Sequence, residues 1–422
     1  MRSSIYATGR VTIVAWRKRL LGHRVLLLVC LIILVNQIGF GIIVPVTPIY
    51  AKTFGVSDAA IGLVVSVYGL GRFLFSVPAG QLADRFGRRR VILAGTILTC
   101  VGSVLCGLAG NFTQLLIFRF ISGVGSTAVI TGTQIVVADV ATPENRGRLM
   151  STYQGFFSFA VGVGPSVGGV VAVLYGPRAP FFVFAILTVV AGLIAQTSLP
   201  DTRRSAERVA AEPKPESNRA VIRLLLRNVG FLSVSLVTLA AAFNRTGGVF
   251  NVVPILGVER LHLNTAEIGF AITVGNLCNL GIVSFVGILV DRYGRKTVIV
   301  PSGIISALAF AGFAFAGSYP VFVLSAALWG IGAAAESSGS AAYAADQAPP
   351  GGNGITMGIY RMLSDLGYVV GPALLGLIAD GAGAQTALLT AAGFAAVAVL
   401  PFFLLAPETG GRRRKRLAEQ KA

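Results

Sequence analysis

The feature that most constrains this 422-residue chain is a succession of apolar stretches, each about twenty residues or more, separated by short polar turns. A helix of about twenty apolar residues crosses the hydrocarbon core of a bilayer. Inside that core only helices and closed barrels satisfy every backbone N–H and C=O. The stretches fall near 25–50, 59–80, 91–110, 113–138, 149–175, 180–199, 229–256, 266–290, 297–316, 320–344, 355–379 and 385–406. The pattern predicts an all-α membrane protein of 12 spans. Only 12% of the residues are charged, against roughly 25% in soluble domains. The net charge of +18 would point to nucleic acid in a soluble protein. Here the basic residues gather in turns and tails, so the expected partner is anionic membrane lipid rather than nucleic acid.

Between spans 2 and 3 the chain reads Gly80-Gln-Leu-Ala-Asp84-Arg85-Phe-Gly87-Arg88-Arg-Arg, and at an offset of 207 residues it reads Gly287-Ile-Leu-Val-Asp291-Arg292-Tyr-Gly294-Arg-Lys. The same offset relates Ile61-Gly62 to Ile268-Gly269, Asp139 to Asp346, Gly147 to Gly354, Tyr153 to Tyr360 and Gly164-Pro165 to Gly371-Pro372. An offset shared over six spans predicts two pseudo-symmetric six-helix bundles. These are an N-terminal half at 25–199 and a C-terminal half at 228–406, flanked by a segment at 1–24, a polar proline-bearing linker at 200–227 and a basic tail at 407–422. The linker reads as a tether, disordered or membrane-bound in part, with a regulatory site as the other reading.

The charged turn resembles the loop between spans 2 and 3 of the major facilitator superfamily, matching Gly-x-Leu-x-Asp-Arg-x-Gly-Arg-Arg at every fixed position. The resemblance implies parallel halves with a site at the membrane midplane between them. It also implies that spans 1, 4, 7 and 10 line the central cavity and that Asp84, Arg85 and Arg88 steady the closed cytoplasmic face. Gly87 and Gly294 supply the turns, and Asp84 and Asp291 are placed to cap a neighbouring helix.

In span 5, Ala160-Val-Gly-Val-Gly164-Pro165-Ser-Val-Gly168-Gly169 resembles the Gly-x-x-x-Gly-Pro-x-x-Gly-Gly motif of the superfamily's proton-coupled drug antiporters, with Ala for the first Gly. Small residues every fourth position make a smooth face for another helix, though ordinary packing gives the same pattern. Span 4 carries Arg119-Phe-Ile-Ser-Gly-Val-Gly, similar to an Arg-x-x-x-Gly-x-Gly motif linked in that family with proton coupling. The other reading of Arg119 is a side chain snorkelling to the outer surface.

An even number of spans puts both termini on one side. Twenty-eight Lys and Arg lie in the tails and loops of that side, against Lys52, Arg178 and Arg260 opposite, so both termini are expected in the cytoplasm, beneath the plasma (inner) membrane. The first apolar run continues to about Tyr50 without a small-residue cleavage site and reads as a retained span.

Five charges fall deep in spans: Arg72, Arg245, Glu336, Arg361 and Asp365. An unpaired charge there costs at least ~2.5 kcal/mol, so each calls for a partner or a function. Arg245 and Glu336 share a depth and are expected to pair when the site is empty, Glu336 taking a proton or cationic group when the pair opens. A permanent structural pair is the alternative. Arg72 and Asp365 also match in depth and are expected to bridge the halves as a cytoplasmic gate, with Arg361 able to pair along its helix with Asp365 or to reach Asp84. Substrate contacts are expected from Asn36, Gln37 and Phe40 in span 1, Gln134 in span 4, Asn244, Phe250 and Asn251 in span 7, and Trp329 in span 10. Span 1 lacks an acidic residue, so a neutral, anionic or zwitterionic amphiphile is as plausible as a lipophilic cation.

No Gly-Lys-Ser/Thr phosphate loop is present, which argues against ATP drive. His23 and His262 form no metal-ligand pair, and the four cysteines lie in apolar stretches without a disulfide framework. The expectation is therefore a transporter, not an enzyme. It works as a monomer without cofactor, with the proton as coupling ion, and exports small amphiphiles or drugs by antiport. Alternatives are a proton symporter or uniporter for a metabolite, a lipid translocase, or a non-transporting sensor.

Overall fold

A computed structural model describes residues 24–141, 145–200, 218–349 and 353–409. The segment 1–24 but for Arg24, most of the linker, most of the basic tail, the side chain of Asp291 and the surroundings of Gly147 and Gly354 lie outside what is described.

All the long elements are helices, as an apolar chain in a bilayer requires. Span 1 is Arg24–Ile43, turning at Pro45 and continuing as Val46–Lys52. Spans 2 to 6 are Asp58–Phe86, Arg88–Gly107, Phe112–Val140, Arg146–Tyr175 and Ala179–Ser198. Span 7 is Val229–Phe243, a wider π-helical segment Asn244–Val252, and Val253–Leu261. Spans 8 to 10 are Thr265–Tyr293, Lys296–Ala314 and Tyr319–Asp346. Asn353–Leu405 breaks at Gly383, whose φ of 84° interrupts the helix, and supplies spans 11 and 12. Side-chain caps start several of them: Ser57 accepts from Ala60 N, Asn111 from Gln114 N, and Asn264 forms a capping box with Glu267. The last third of the linker is itself a helix, Asn218–Arg227, whose Val221 and Leu225 are buried with Phe231, Tyr343 and Phe402. This part of the linker is thus packed against the C-terminal half rather than free.

By connectivity, one face of the bundle holds both ends of the described chain and the Gly80–Arg90 turn (the termini face), and the distal face holds the turns around Lys52–Asp58 and Leu261–Asn264. Span 2 packs on span 11 and span 5 on span 8, joining the halves. Their contacts repeat at the sequence offset. A side chain at Gly62 would run into the Pro372 carbonyl, and one at Gly269 into the Pro165 carbonyl, two contacts related residue by residue by the 207-residue offset. Gly376 meets the backbone of Asp58 and Gly169 that of Thr265 in the same relation. All these close approaches lie toward the distal face. In the termini-side parts of spans 5, 8 and 11, Gly155, Gly281, Gly287 and Gly358 have no atom within 4 Å of where a side chain would begin. The halves are sealed against each other distally and splayed at the termini face.

Candidate functional site

Two ionic devices close the distal face. Asp380, near the end of span 11, accepts hydrogen bonds from the backbone N–H of Asp58 (2.5 Å) and Ala59 (2.9 Å), capping span 2 of the opposite half. A carboxylate at a helix N-terminus meets both orphan donors and the positive end of the dipole. Beside it Lys52 pairs with Glu259 across the halves. Neither device was expected from the sequence, although the 207-residue spacing of Lys52 and Glu259 equals the repeat offset.

Below the seal, spans 7, 10 and 11 enclose a cavity of about 240 Å³, lined among others by Thr238, Arg245, Trp329, Glu336, Tyr360 and Ser364. Glu336 is 7% exposed, with the Ser306 hydroxyl of span 9 within hydrogen-bonding reach. Arg245 is the second residue of span 7's π-helical segment and is exposed in the cavity. Among the described residues no ion pair joins Arg245 to Glu336. The expected resting pair is therefore absent from this conformation, although both groups face one space. A π turn holds more residues than an α turn, so the angular position of Arg245 departs from the regular α-helical register.

The expected gate is likewise unformed. Arg72 lies over the Tyr368 ring, 5.2 Å from its centroid, instead of bridging to Asp365, and its Nε has no hydrogen-bond partner. Arg361 pairs with neither Asp365 nor Asp84 but donates to Gln134 Oε1 at 3.0 Å, the polar contact between spans 11 and 4 across the splayed side. Asp365 interacts through space with Arg72, Arg245 and Arg361 without contacting any of them closely. Arg119 does not snorkel: it is 3% exposed, under the Tyr68 ring at 4.8 Å, with Nε and Nη1 unpartnered. Tyr68 in turn stacks on Phe40 at 5.4 Å. Tyr68 and Tyr368 thus carry the two guanidiniums on their π faces, a role the sequence reading missed because an aromatic in a span looks like ordinary packing.

The remaining candidates divide. Asn36 and Gln37 are buried, with both Asn36 amide atoms and Gln37 Oε1 lacking hydrogen-bond partners. Trp329 is buried at the cavity wall and Phe250 in the core. Asn244 and Asn251 donate to the Ala391 and Pro372 carbonyls and leave only their Oδ1 atoms unmatched, so they hold span 7 to its neighbours.

At the termini face Gly87 and Gly294 have φ of 96° and 106°, a conformation L side chains resist. Arg88, 5% exposed, lies between Asp139 (2.9 Å) and Asp84 (3.0 Å); Arg295 pairs with Asp346 at 3.0 Å, so the repeat extends to the ion pairs. Asp84 itself is 71% exposed and pairs with Arg88 of its own half; among the described residues it caps no neighbouring helix. Arg85 and Arg292 lie over the adjacent Phe86 and Tyr293 rings, both at 5.3 Å. Glu408 accepts from the N–H of Arg295 (2.7 Å) and Lys296 (3.1 Å) and caps span 9. Gly80 has only Thr131 near it, 4.0 Å from where a side chain would begin. In span 5, Gly164 and Gly168 face span 1, where a methyl would meet Gly41 and the Ile42 carbonyl, while Pro165 and Gly169 face span 8. The motif thus serves two interfaces, one within a half and one between halves.

Comparison with known proteins agrees with this geometry. A family model described as Major Facilitator Superfamily matches residues 29–279 and 234–422. The chain is 24% identical over 82% of its length to an uncharacterized MFS-type transporter of Methanocaldococcus jannaschii, covering 88% of that protein. It is 25% identical over 82% of its length to Multidrug resistance protein 2 of Bacillus subtilis, covering 87% of it. Among solved structures, a bacterial homologue of the human lysosomal transporter Spinster, in an inward-facing and unoccupied conformation, superposes with a TM-score of 0.78 at 17% identity, covering 91% of this chain and 96% of that one.

Proposed function

The chain belongs to the major facilitator superfamily, an integral membrane transporter rather than an enzyme, and from that premise we propose that it exports small amphiphilic molecules in exchange for protons by alternating access. The halves at 25–199 and 228–406 rock about the midplane, with both termini in the cytoplasm below the plasma membrane. The termini face is then the cytoplasmic entrance, open here, and the distal face the exit, closed by Asp380 and the Lys52–Glu259 pair. The likeness to a multidrug resistance protein supports the efflux reading.

The observation that carries proton coupling is Glu336, a buried carboxyl on the wall of a cavity open to substrate. Desolvation and a nearby guanidinium act in opposite directions on a carboxyl's proton affinity. Moving Arg245 of span 7 toward or away from Glu336, with Ser306, Ser337 and Tyr360 around it, changes which influence dominates. Each passage of the halves then couples proton release to a change of access. No cofactor is required, the monomer is the working unit, and membrane lipids are its surroundings.

The test is proton flux in sealed proteoliposomes carrying a pH dye, acid-loaded and challenged with amphiphilic compounds. Antiport predicts proton release from the lumen on adding substrate, abolished by Glu336→Gln. Proton movement in the direction of the substrate would make the protein a symporter, and a pH-dependent exchange unaltered in Glu336→Gln would remove Glu336 from the coupling.

A further inference from the structure

We infer that the cavity selects amphiphiles bearing a carboxylate, anionic or zwitterionic, and that Arg245 is the residue that receives it. The inference rests on the transporter reading above but assigns what that reading leaves open, the charge of the substrate.

Three guanidiniums, from Arg72, Arg245 and Arg361, surround a single carboxylate, Asp365, none within ion-pair distance of it. Arg361 is engaged by Gln134 and Arg72 by the Tyr368 ring. Arg245 is the one that projects into the cavity, exposed. Glu336 is the carboxyl that lines the cavity, set back beside Ser306 and not paired with Arg245, so among the described residues three guanidiniums in and next to this space face two carboxyls. A cation entering this space meets the more numerous guanidiniums, whereas a carboxylate gains a planar two-pronged donor at Arg245. Trp329, Ala333 and Ala241 supply an apolar wall beside Arg245, and a volume of about 240 Å³ suits a body of one or two rings. A zwitterion would direct its ammonium toward Glu336.

The test uses three probes of one shape: 2-naphthoate, the neutral 2-naphthamide and the cationic 2-naphthylmethylammonium, each radiolabelled. Equilibrium binding is measured on the full-length protein in lipid nanodiscs. The expected order is naphthoate tightest. Arg245→Gln should weaken naphthoate roughly 10- to 100-fold, the range of a charged hydrogen bond, while moving naphthamide less than about threefold. Arg245→Lys should recover part of the loss, and elution as a single species on size exclusion confirms that each variant is folded. The assignment is overturned if the ammonium binds tightest, if Arg245→Gln weakens all three probes alike, or if none of the three binds. Selective naphthoate binding without proton exchange in proteoliposomes would refute antiport and leave this assignment standing. Proton exchange driven only by cations would do the reverse.

Discussion

Replacing Asp380 by alanine should unlock the distal face. In the closed arrangement one carboxylate accepts two backbone N–H groups of the opposite half, at 2.5 and 2.9 Å. Among the described residues no other trans acceptor meets the start of span 2; Ser57 caps Ala60 N in cis. Removing a helix-capping acid costs about 0.5–2 kcal/mol, and its loss from the dipole about 0.3–1 kcal/mol more at an exposed site. Opening the face returns these donors to water, so we take about 1–2 kcal/mol as the bias lost. That is a change of roughly 5- to 30-fold in the closed-to-open ratio. Spin labels at Tyr175 and Gly317, exposed on distal turns of opposite halves, would report the distance distribution by double electron–electron resonance in a cysteine-free background. Asp380→Ala should populate a longer distance, and Asp380→Asn, which keeps one acceptor, a smaller share of it. A distribution identical to that of the parent in both variants would refute the reasoning.

Charge reversal of the neighbouring pair, Lys52→Glu with Glu259→Lys, should restore the closed distance that either single change lengthens, read by the same labels. A methyl at Gly269 or Gly62 runs into a proline carbonyl of the other half, so Gly269→Ala should favour the open distal face more strongly than Asp380→Ala. Gly168→Val places its branches against the Ile42 backbone within one half; overpacking of this kind costs about 1–3 kcal/mol and should lower the melting temperature without a conformational bias. Asp139→Ala leaves the buried Arg88 guanidinium with the exposed Asp84 carboxylate and the Ala83 carbonyl, so it should destabilise the N-terminal half by less than the about 3–5 kcal/mol of a fully broken buried pair, seen as a loss of thermal stability, whereas replacing both Asp139 and Arg88 with leucine should cost less still.

The spans were legible because hydropathy is a local property, and the halves because a fixed offset survives in the sequence. The offset even carries into geometry: Arg88–Asp139 and Arg295–Asp346 are the same pair twice. Pairings of intramembrane charges were not legible. Sequence gives depth along a helix, as for Arg245 and Glu336, but not angle once a π segment intervenes. Arg72 and Asp365 also match in depth, yet in this conformation the halves are splayed on that side and Arg72 rests on Tyr368. Asp380 escaped notice because its partners are backbone N–H groups 321 and 322 residues away, which no side-chain pattern announces.

Lys52 and Glu259 occupy equivalent positions in the two repeats, and they touch. Two equivalent positions can meet only where the pseudo-twofold axis leaves the molecule, so this pair marks the axis. An ancestor made of two identical six-helix chains would have set lysine against lysine there, or glutamate against glutamate, and its own symmetry would have pushed that face apart. In one chain the two positions are free to differ, and opposite charges on the axis are open only to a single polypeptide.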